Sequence, residues 1–311
     1  MGKVAFLFPG QASQYPGMGK ELAEKFPAAR AVFTEADQAL GLSISQLCFE
    51  GSEDALKLTE NTQPAMLTVS VAIYRILEEK GIAPHYVAGH SLGEYSALVA
   101  AGSLAFADAV KLVRLRGEYM QQAVPAGEGA MAAIMGLAPA QVAQICKKAA
   151  NGQVVGPANL NSPDQTVISG HAGAVKRAVE LASASGAKRA VVLAVSAPFH
   201  CELMMPAQEK LASDLRRTAF APLRVPLVTN VDAELISSGE EAREALIRQV
   251  SLPVRWEEGV SIFVEVGPAR VLSGLLRQIE RSVHCFNVED EKSLLSTLDK
   301  LAQAQAEVAE T

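Results

Sequence analysis

Residues 89–93, Gly-His-Ser-Leu-Gly, have the types and spacing that expose a serine nucleophile. An apolar run, 86–88, stops at the first glycine, and an alanine-rich helical pattern begins at about Leu92. This order predicts a sharp strand-to-helix turn of the G-x-S-x-G type, with the hydroxyl of Ser91 exposed at its tip. The two glycines lack Cβ atoms, so the chain can turn tightly and neighbouring backbone can pass beneath the serine.

A serine nucleophile needs donors for the anionic oxygen that develops on its substrate. The Leu92 amide is one candidate, because amides at the start of a helix have no partner within it. A second candidate lies in the glycine-rich loop 9–19, which follows a predicted buried strand at 4–8. That loop lacks both the Walker lysine and the G-x-G-x-x-G spacing, which argues against a nucleotide site. Hydrolase-like folds take their second oxyanion donor from such an early loop, which makes Gln11 the candidate.

The general base and the charged groups are harder to identify from spacing. His200 lies in a predicted interdomain loop, where it could serve Ser91, although any single histidine can instead be structural. The hydrolase order would place an acid between these two residues, and none stands out. Arg114 and Arg116 lie in a helical pattern at 106–122, where arginines are usually solvated.

The order of the predicted elements changes at residue 125. Strand patterns at 129–137, 154–160, 165–169 and 188–195 alternate with helical patterns at 139–150 and 172–185, giving βαββαβ, with a hairpin turn at 161–164. That order is ferredoxin-like, with four antiparallel strands and two helices on one face. We therefore predict an α/β protein with a hydrolase-like core around a parallel sheet, formed by 1–124 and 196–311. The ferredoxin-like small domain, 125–195, is inserted into it.

Composition excludes several classes of protein. The 311 residues are 49% hydrophobic and carry a formal net charge of −6, which argues against general nucleic-acid binding. No apolar run is long enough for a membrane span. The cysteines, Cys48, Cys146, Cys201 and Cys285, are too scattered for a metal site or disulfide framework. We expect a cytoplasmic protein without metal or membrane contact.

Eight motifs, in order, together resemble the malonyl-CoA:acyl carrier protein transacylase family of fatty-acid and polyketide synthesis, from about residue 3 to 290. The motifs are Phe8-Pro-Gly-Gln11-x-Ser-Gln, Gln63-Pro-Ala, Gly89-His-Ser-Leu-Gly-Glu-Tyr95, Arg116-Gly, Ala158-Asn-Leu-Asn161-Ser-Pro, Ser196 to His200, Asn230-Val-Asp and Glu265-Val-Gly-Pro268. The resemblance implies malonyl transfer from malonyl-CoA to the phosphopantetheine thiol of acyl carrier protein. It further implies a ping-pong mechanism without a cofactor, and we expect a monomer.

The resemblance also assigns roles to residues. It implies Ser91 as the nucleophile, His200 as its base, and the amides of Gln11 and Leu92 as oxyanion donors. Arg116 would clamp the malonyl carboxylate.

Two further roles follow from the same resemblance. Gln249 would orient His200, and its neutral carbonyl would take the place of the missing acid. Phe199, before the base, resembles the malonyl-selective acyltransferases of modular polyketide synthases, and we include it among the substrate-binding residues.

The sequence departs from the family in two places. Only six residues separate Trp256 from Phe263, where family members usually have an additional helix. Ala269 stands where a glycine usually follows Gly267-Pro268, and we expect little consequence from that change.

Two other functions remain open at this stage. One is a serine esterase or thioesterase, which would have no need of Arg116 facing the acyl pocket. The other is a non-catalytic module that binds carrier protein, against which the intact set Ser91, His200 and Arg116 argues. Carrier proteins of this family are acidic, so docking would need a local basic patch, and Lys188 with Arg189 is one candidate. The sequence does not distinguish fatty-acid from polyketide synthesis.

Overall fold

The computed structural model of the chain describes residues 4–259, 263–279 and 285–309, and their strands form two sheets. The strands are β1 Ala5–Phe8, β2 Tyr86–Gly89, β3 Gly129–Met135, β4 Val155–Ser162, β5 Gln165–His171, β6 Arg189–Val192, β7 Leu227–Val228, β8 Leu235–Ile236, β9 Val254–Arg255, β10 Phe263–Val266 and β11 Cys285–Val288.

The larger sheet has the order β11-β10-β1-β2-β7-β8, and its pairs are parallel except for β7 with β8. Every residue of β1 is buried, as expected of a parallel strand covered on both faces. Phe8 pairs with Gly89 at the carboxyl ends of β1 and β2. The glycine-rich loop after β1 therefore lies beside the turn that carries Ser91.

Helices surround the sheets, and none in the described part of the chain is long and apolar enough to cross a membrane. All eight residues of the helix after β2 are buried, as expected of a largely apolar helix inside the core, although Glu94 and Ser96 are polar. The helices are α1 Lys20–Lys25, α2 Pro27–Leu40, α3 Ile44–Glu50, α4 Glu53–Lys57, α5 Thr59–Glu79, α6 Gly93–Ala100, α7 Phe106–Gln122, α8 Pro139–Ala149, α9 Ala172–Ala184, α10 Met205–Arg217, α11 Gly239–Gln249, α12 Val271–Ile279 and α13 Glu291–Ala309.

The smaller sheet has the order β6-β3-β5-β4-β9. Its first four strands, with α8 and α9, have the predicted βαββαβ connection, and their pairs are antiparallel. The predicted fold class, a hydrolase-like core with a ferredoxin-like insertion, is confirmed. The last strand of the insertion, β6, ends at Val192 and is therefore shorter than the strand predicted at 188–195.

Strand β9 joins the smaller sheet from outside the insertion. Val254 and Arg255 pair in parallel with Asn159 and Leu160 of β4, although they follow the insertion by many residues. The sequence does not predict this pairing, because a two-residue strand has no periodicity to read. The domain boundaries at 124/125 and 195/196 stay a prediction. Residues 260–262, in the short segment before Phe263, lie outside the described residues.

Ala269 has a left-handed backbone, with φ of +62°. Its amide donates to Glu289 Oε2 at 2.8 Å, and its carbonyl accepts from Asn287 Nδ2 at 3.2 Å, so the turn is held on both sides. An L-residue in this conformation costs about 1–2 kcal/mol, which glycine avoids. From this strain we now expect the alanine to affect stability, and the measurement below tests that expectation.

We expect Ala269→Gly to raise the free energy of unfolding by roughly 0.5–1 kcal/mol, because the relief of strain exceeds the extra entropy that glycine loses on folding. Denaturant titration of the wild type and the variant measures this change in the free energy of unfolding. The matched control is Ala31→Gly, on the exposed face of α2, which should instead lower stability by about 1 kcal/mol. A loss of stability at position 269 as well would contradict the strain argument.

Candidate active site

Ser91 lies on the turn between β2 and α6, with its backbone in the left-handed region at φ +52°. Close packing around the turn excludes any side chain at the two glycines. A Cβ atom at Gly89 would lie 1.9 Å from the carbonyl carbon of Gly93, and one at Gly93 would lie 2.0 Å from the carbonyl oxygen of Phe8. The sequence 89–93 thus folds into the strained turn that presents the serine hydroxyl.

His200 is in hydrogen-bond reach of the serine. The distance between Ser91 Oγ and His200 Nε2 is 2.8 Å, and His200 is buried with its own φ at +58°. Its other ring nitrogen, Nδ1, lies 2.8 Å from the main-chain oxygen of Gln249. A carbonyl can only accept, so Nδ1 carries the hydrogen and Nε2 is free to accept the serine proton. The geometry fits a nucleophile with its general base.

Gln249 contacts His200 through its backbone oxygen, whereas its side chain bonds Ser91 and Arg116. Gln249 Nε2 donates to the carbonyl of Ser91 at 2.9 Å, while its Oε1 accepts from Arg116 at 2.9 Å. The sequence analysis expects a neutral carbonyl from this residue without specifying which one. Since the backbone supplies it, the tautomer of His200 does not depend on which side chain stands at position 249.

Arg116 is fully buried on α7 and faces the serine. Its Nη2 lies 3.0 Å from Ser91 Oγ, its Nη1 donates to Gln63 Oε1 at 2.7 Å, and its guanidinium carbon lies 5.8 Å from the centre of the Tyr95 ring. Arg114 instead points away from the site and bonds Glu118 at 2.7 Å. A fixed cation next to a nucleophile suits a substrate that carries a carboxylate.

A cavity of about 400 Å³ opens onto Ser91 and His200. The larger sheet and its loops contribute Gln11 and Thr59, and the smaller sheet contributes Met131 and Asn159. Phe199 and the segment after β6 complete the wall. The cavity thus lies between the two sheets, with the nucleophile at one of its walls.

The two predicted oxyanion donors are the backbone amides of Leu92 and Gln11. Leu92 is buried directly before the first residue of α6, so its amide belongs to the unsatisfied first turn. Gln11 lines the cavity, and its side-chain oxygen accepts from Thr59 Oγ1 at 2.5 Å, which fixes that side chain in place. Their roles as donors stay a prediction.

Burial and the neighbouring cation keep the base neutral. Burial lowers the pKa of His200 to about 3, and the positive charge of Arg116 acts in the same direction. Both effects disfavour the imidazolium, so the ring remains a proton acceptor throughout the neutral pH range.

Three buried polar residues that the sequence analysis leaves without a role belong to the same network. Asn230 accepts from the Ser91 amide at 2.7 Å and donates to the Gly89 carbonyl at 2.7 Å, which fixes both sides of the turn. Gln63 holds Arg116, and Glu94 accepts from Gln249 Nε2 at 2.8 Å. A carboxylate in an otherwise apolar helix is the one signal that could have found Glu94, because buried charges need a partner.

We expect His200→Ala to slow acylation of Ser91 by roughly 10²- to 10⁴-fold, because it removes the proton acceptor. Gln249→Ala should slow it less, since the backbone oxygen that orients His200 remains and only the side-chain bonds are lost. Single-turnover acylation by the acyl-CoA donor measures both rates on variants that pass a folding check by circular dichroism. The prediction is the order of the two rates. It would be contradicted if Gln249→Ala slowed acylation more than His200→Ala does.

Comparison with known proteins extends the similarity over nearly the whole chain. Residues 5–288 match the family described as the acyl transferase domain. A Bacillus subtilis (strain 168) protein named malonyl CoA-acyl carrier protein transacylase is 49% identical over 312 residues, covering 97% of this chain and 98% of that protein.

Solved structures agree. The malonyl CoA-acyl carrier protein transacylase from Coxiella burnetii has a TM-score of 0.94 and 46% identity, covering 96% of this chain and 98% of that one. A malonyl-transacylase in complex with its type II PKS acyl-carrier protein has a TM-score of 0.93 and 47% identity, covering 96% and 100%.

Proposed function

Because this chain belongs to the acyl transferase family, we propose that it transfers the malonyl group of malonyl-CoA to the phosphopantetheine thiol of an acyl carrier protein. The names of its relatives support both substrates, and the complex of one structural relative with a carrier protein supports the acceptor. The transfer runs through a malonyl ester of Ser91 and supplies fatty-acid or polyketide synthesis.

One observation carries the proposal. The guanidinium of Arg116 lies 3.0 Å from the Ser91 hydroxyl, and the arginine is fully buried. The malonyl group has a carboxylate at the end remote from its thioester, so a cation beside the nucleophile can hold that end. A general esterase would have no use for a buried cation in its acyl pocket.

The contacts support a path for each proton in the first half of the reaction. Ser91 Oγ attacks the thioester carbonyl and gives its proton to His200 Nε2, while Gln249 O holds Nδ1–H. The amides of Leu92 and Gln11 stabilise the tetrahedral oxyanion. The carbon–sulfur bond then breaks, and coenzyme A leaves as a thiol with the proton from His200.

The second half reverses these steps with a different thiol. The carrier's phosphopantetheine thiol gives its proton to His200, attacks the Ser91 ester, and releases the serine with its proton returned. Thioester, ester and thioester are of similar energy, so positioning and oxyanion stabilisation supply most of the catalysis. No cofactor is needed for this chemistry.

Intact-mass analysis after mixing with malonyl-CoA tests the proposal. The protein should gain one malonyl group, keep it in thiol-free buffer, and lose it when a phosphopantetheine-bearing carrier protein is added. An efficient esterase or thioesterase would lose the group to water instead. A module that only binds the carrier would gain none, and either of these results would exclude the transferase.

We place the protein in the cytoplasm and expect a monomer. Cys48, Cys146 and Cys201 are buried and form no disulfide, as suits a reducing compartment.

The carrier protein is proposed to dock beside β6. Lys188 and Arg189 are exposed at the start of this edge strand, and the residues that follow it, 193–196, line the cavity. We expect charge reversal of both to raise the KM for carrier protein and to weaken its salt dependence, since opposite charges steer association. Reversal of Lys147 and Lys148, exposed on α8 of the same insertion, is the matched control. If reversal of Lys188 and Arg189 changed the KM and its salt dependence no more than reversal of the control pair, Lys188 and Arg189 would not belong to the interface.

A further inference from the structure

Arg116 is fully buried, and no carboxylate among the described residues is bonded to it. Its hydrogen bonds go to the neutral oxygens of Gln63, Gln249 and Ser91, and within the described residues its Nε has no hydrogen-bond partner. An uncompensated buried charge is strongly destabilising. A counter-charge close by would lower that cost in the site without substrate.

Glu94 is the buried carboxylate connected to it. Gln249 bridges the two, since its Oε1 accepts from Arg116 Nη2 at 2.9 Å and its Nε2 donates to Glu94 Oε2 at 2.8 Å. The same Oε2 also accepts from the Asn230 amide at 3.1 Å. Glu94 Oε1 has no hydrogen-bond partner in the described part of the chain, so one oxygen remains open to a proton.

Among the residues that the structure describes, few other titratable or charged groups act on Glu94. Asp232, in the loop after β7, and Arg248, on α11, act on it electrostatically but bond each other at 2.6 and 2.8 Å, and Tyr95 follows it on α6. Burial raises the pKa of Glu94 to about 7, while its bonds to Gln249 and Asn230 and the charge of Arg116 oppose the shift. Arg116 is the one of these groups that the proposed substrate would contact.

We propose that Glu94 is the counter-charge of Arg116 in the empty site, and that it takes up a proton when the malonyl carboxylate replaces it as the partner of Arg116. This inference rests on the proposed function. Charge balances at both stages, because one carboxylate is ionised before binding and a different one after it. The proton comes from solvent and is accepted by Oε1, and no bond other than this O–H is formed.

The ratio of kcat/KM for malonyl-CoA to that for acetyl-CoA tests the proposal. Above pH 7 Glu94 is ionised and must be protonated before malonyl binds, whereas acetyl imposes no such requirement. The ratio in the wild-type enzyme should thus fall by up to about tenfold per pH unit above pH 7 and level off below it. Glu94→Gln should make the ratio independent of pH, because its amide oxygen can accept the same two hydrogen bonds without a charge.

Proton uptake by the wild-type enzyme gives a second measurement that does not depend on a variant. Acylation by malonyl-CoA in weakly buffered solution with an indicator dye should take up a net of roughly two thirds of a proton per malonyl group at pH 8 and far less at pH 6. Any ionisation of the released thiol has the opposite sign. The control variant Asp232→Asn, which breaks the neighbouring ion pair, should keep the slope of the ratio.

The outcomes separate this inference from the function on which it rests. If no malonyl adduct forms, the proposed function fails. If the adduct forms but the malonyl-to-acetyl ratio has the same pH dependence in the wild type and in Glu94→Gln, or if no proton is taken up, Glu94 is not the exchanged counter-charge. A purely structural Glu94 would change both substrates' rates equally and leave the slope in place.

Discussion

Ser91→Ala is expected to abolish the malonyl adduct and to slow malonyl transfer to carrier protein by roughly 10⁴-fold or more. Loss of a serine nucleophile in comparable enzymes has effects of this size, because the oxyanion hole and substrate binding contribute only the remainder. The variant lacks the one hydroxyl that is 2.8 Å from His200 Nε2 and 3.0 Å from Arg116 Nη2. Intact mass and rapid-quench transfer assays measure the two losses.

Ser96→Ala is the matched control for that experiment. Ser96 lies on α6, the helix that follows the Ser91 turn, and is fully buried, so its alanine variant tests the loss of a hydroxyl without loss of the nucleophile. It should form the adduct at close to the wild-type rate. An adduct that persisted in folded Ser91→Ala would mean that another side chain carries the malonyl group.

Arg116→Ala is expected to lower the preference for malonyl over acetyl by roughly 10³- to 10⁵-fold. The guanidinium can hold a carboxylate through two parallel charge-assisted hydrogen bonds, and with acetyl it would stay buried without that partner. Sites built around a polar substrate group reject analogues that lack it by factors of this size. Matched kcat/KM values for malonyl-CoA and acetyl-CoA give the preference directly, and an unchanged preference would remove Arg116 from the acyl pocket.

Two further variants refine the test of the clamp. Arg116→Lys should restore malonyl transfer only in part, because an ammonium is a point charge and cannot reproduce the fork that spans Gln63 and Gln249. Arg114→Ala removes an arginine of the same helix that bonds Glu118 and Asn61, away from the serine. Its preference for malonyl should equal that of the wild type.

The parts of this site that follow from local sequence could be predicted. The turn at Ser91 depends on five consecutive residues, since a Cβ at Gly89 or Gly93 would meet backbone. Helix α7 matches its predicted span, 106–122, because its apolar spacing repeats over several turns. Arg116, two positions from Arg114, could be singled out only through the family resemblance.

The parts that depend on distant pairs could not be predicted from spacing. Gln249 reaches Ser91, Arg116 and His200 from far along the chain, and only the folded backbone determines which of its oxygens meets the histidine. Glu94 was part of a recognised motif, but its role depends on the side chain of Gln249. Pairing of β9 with β4 likewise requires two segments that local propensity does not connect.

The pairing of β9 with β4 connects the smaller sheet to the neighbours of both His200 and Ser91. Beyond Gln249, whose carbonyl orients the base, the chain soon enters β9, which is bonded edge to edge with β4 at Asn159. Further along β4, Asn161 contacts the ring of His90, the residue before the nucleophile, at 3.0 Å. A partner seated on the smaller sheet would therefore bear on an element that contacts the neighbours of both the base and the serine. We expect the width of the cavity and the alignment of the dyad to change together.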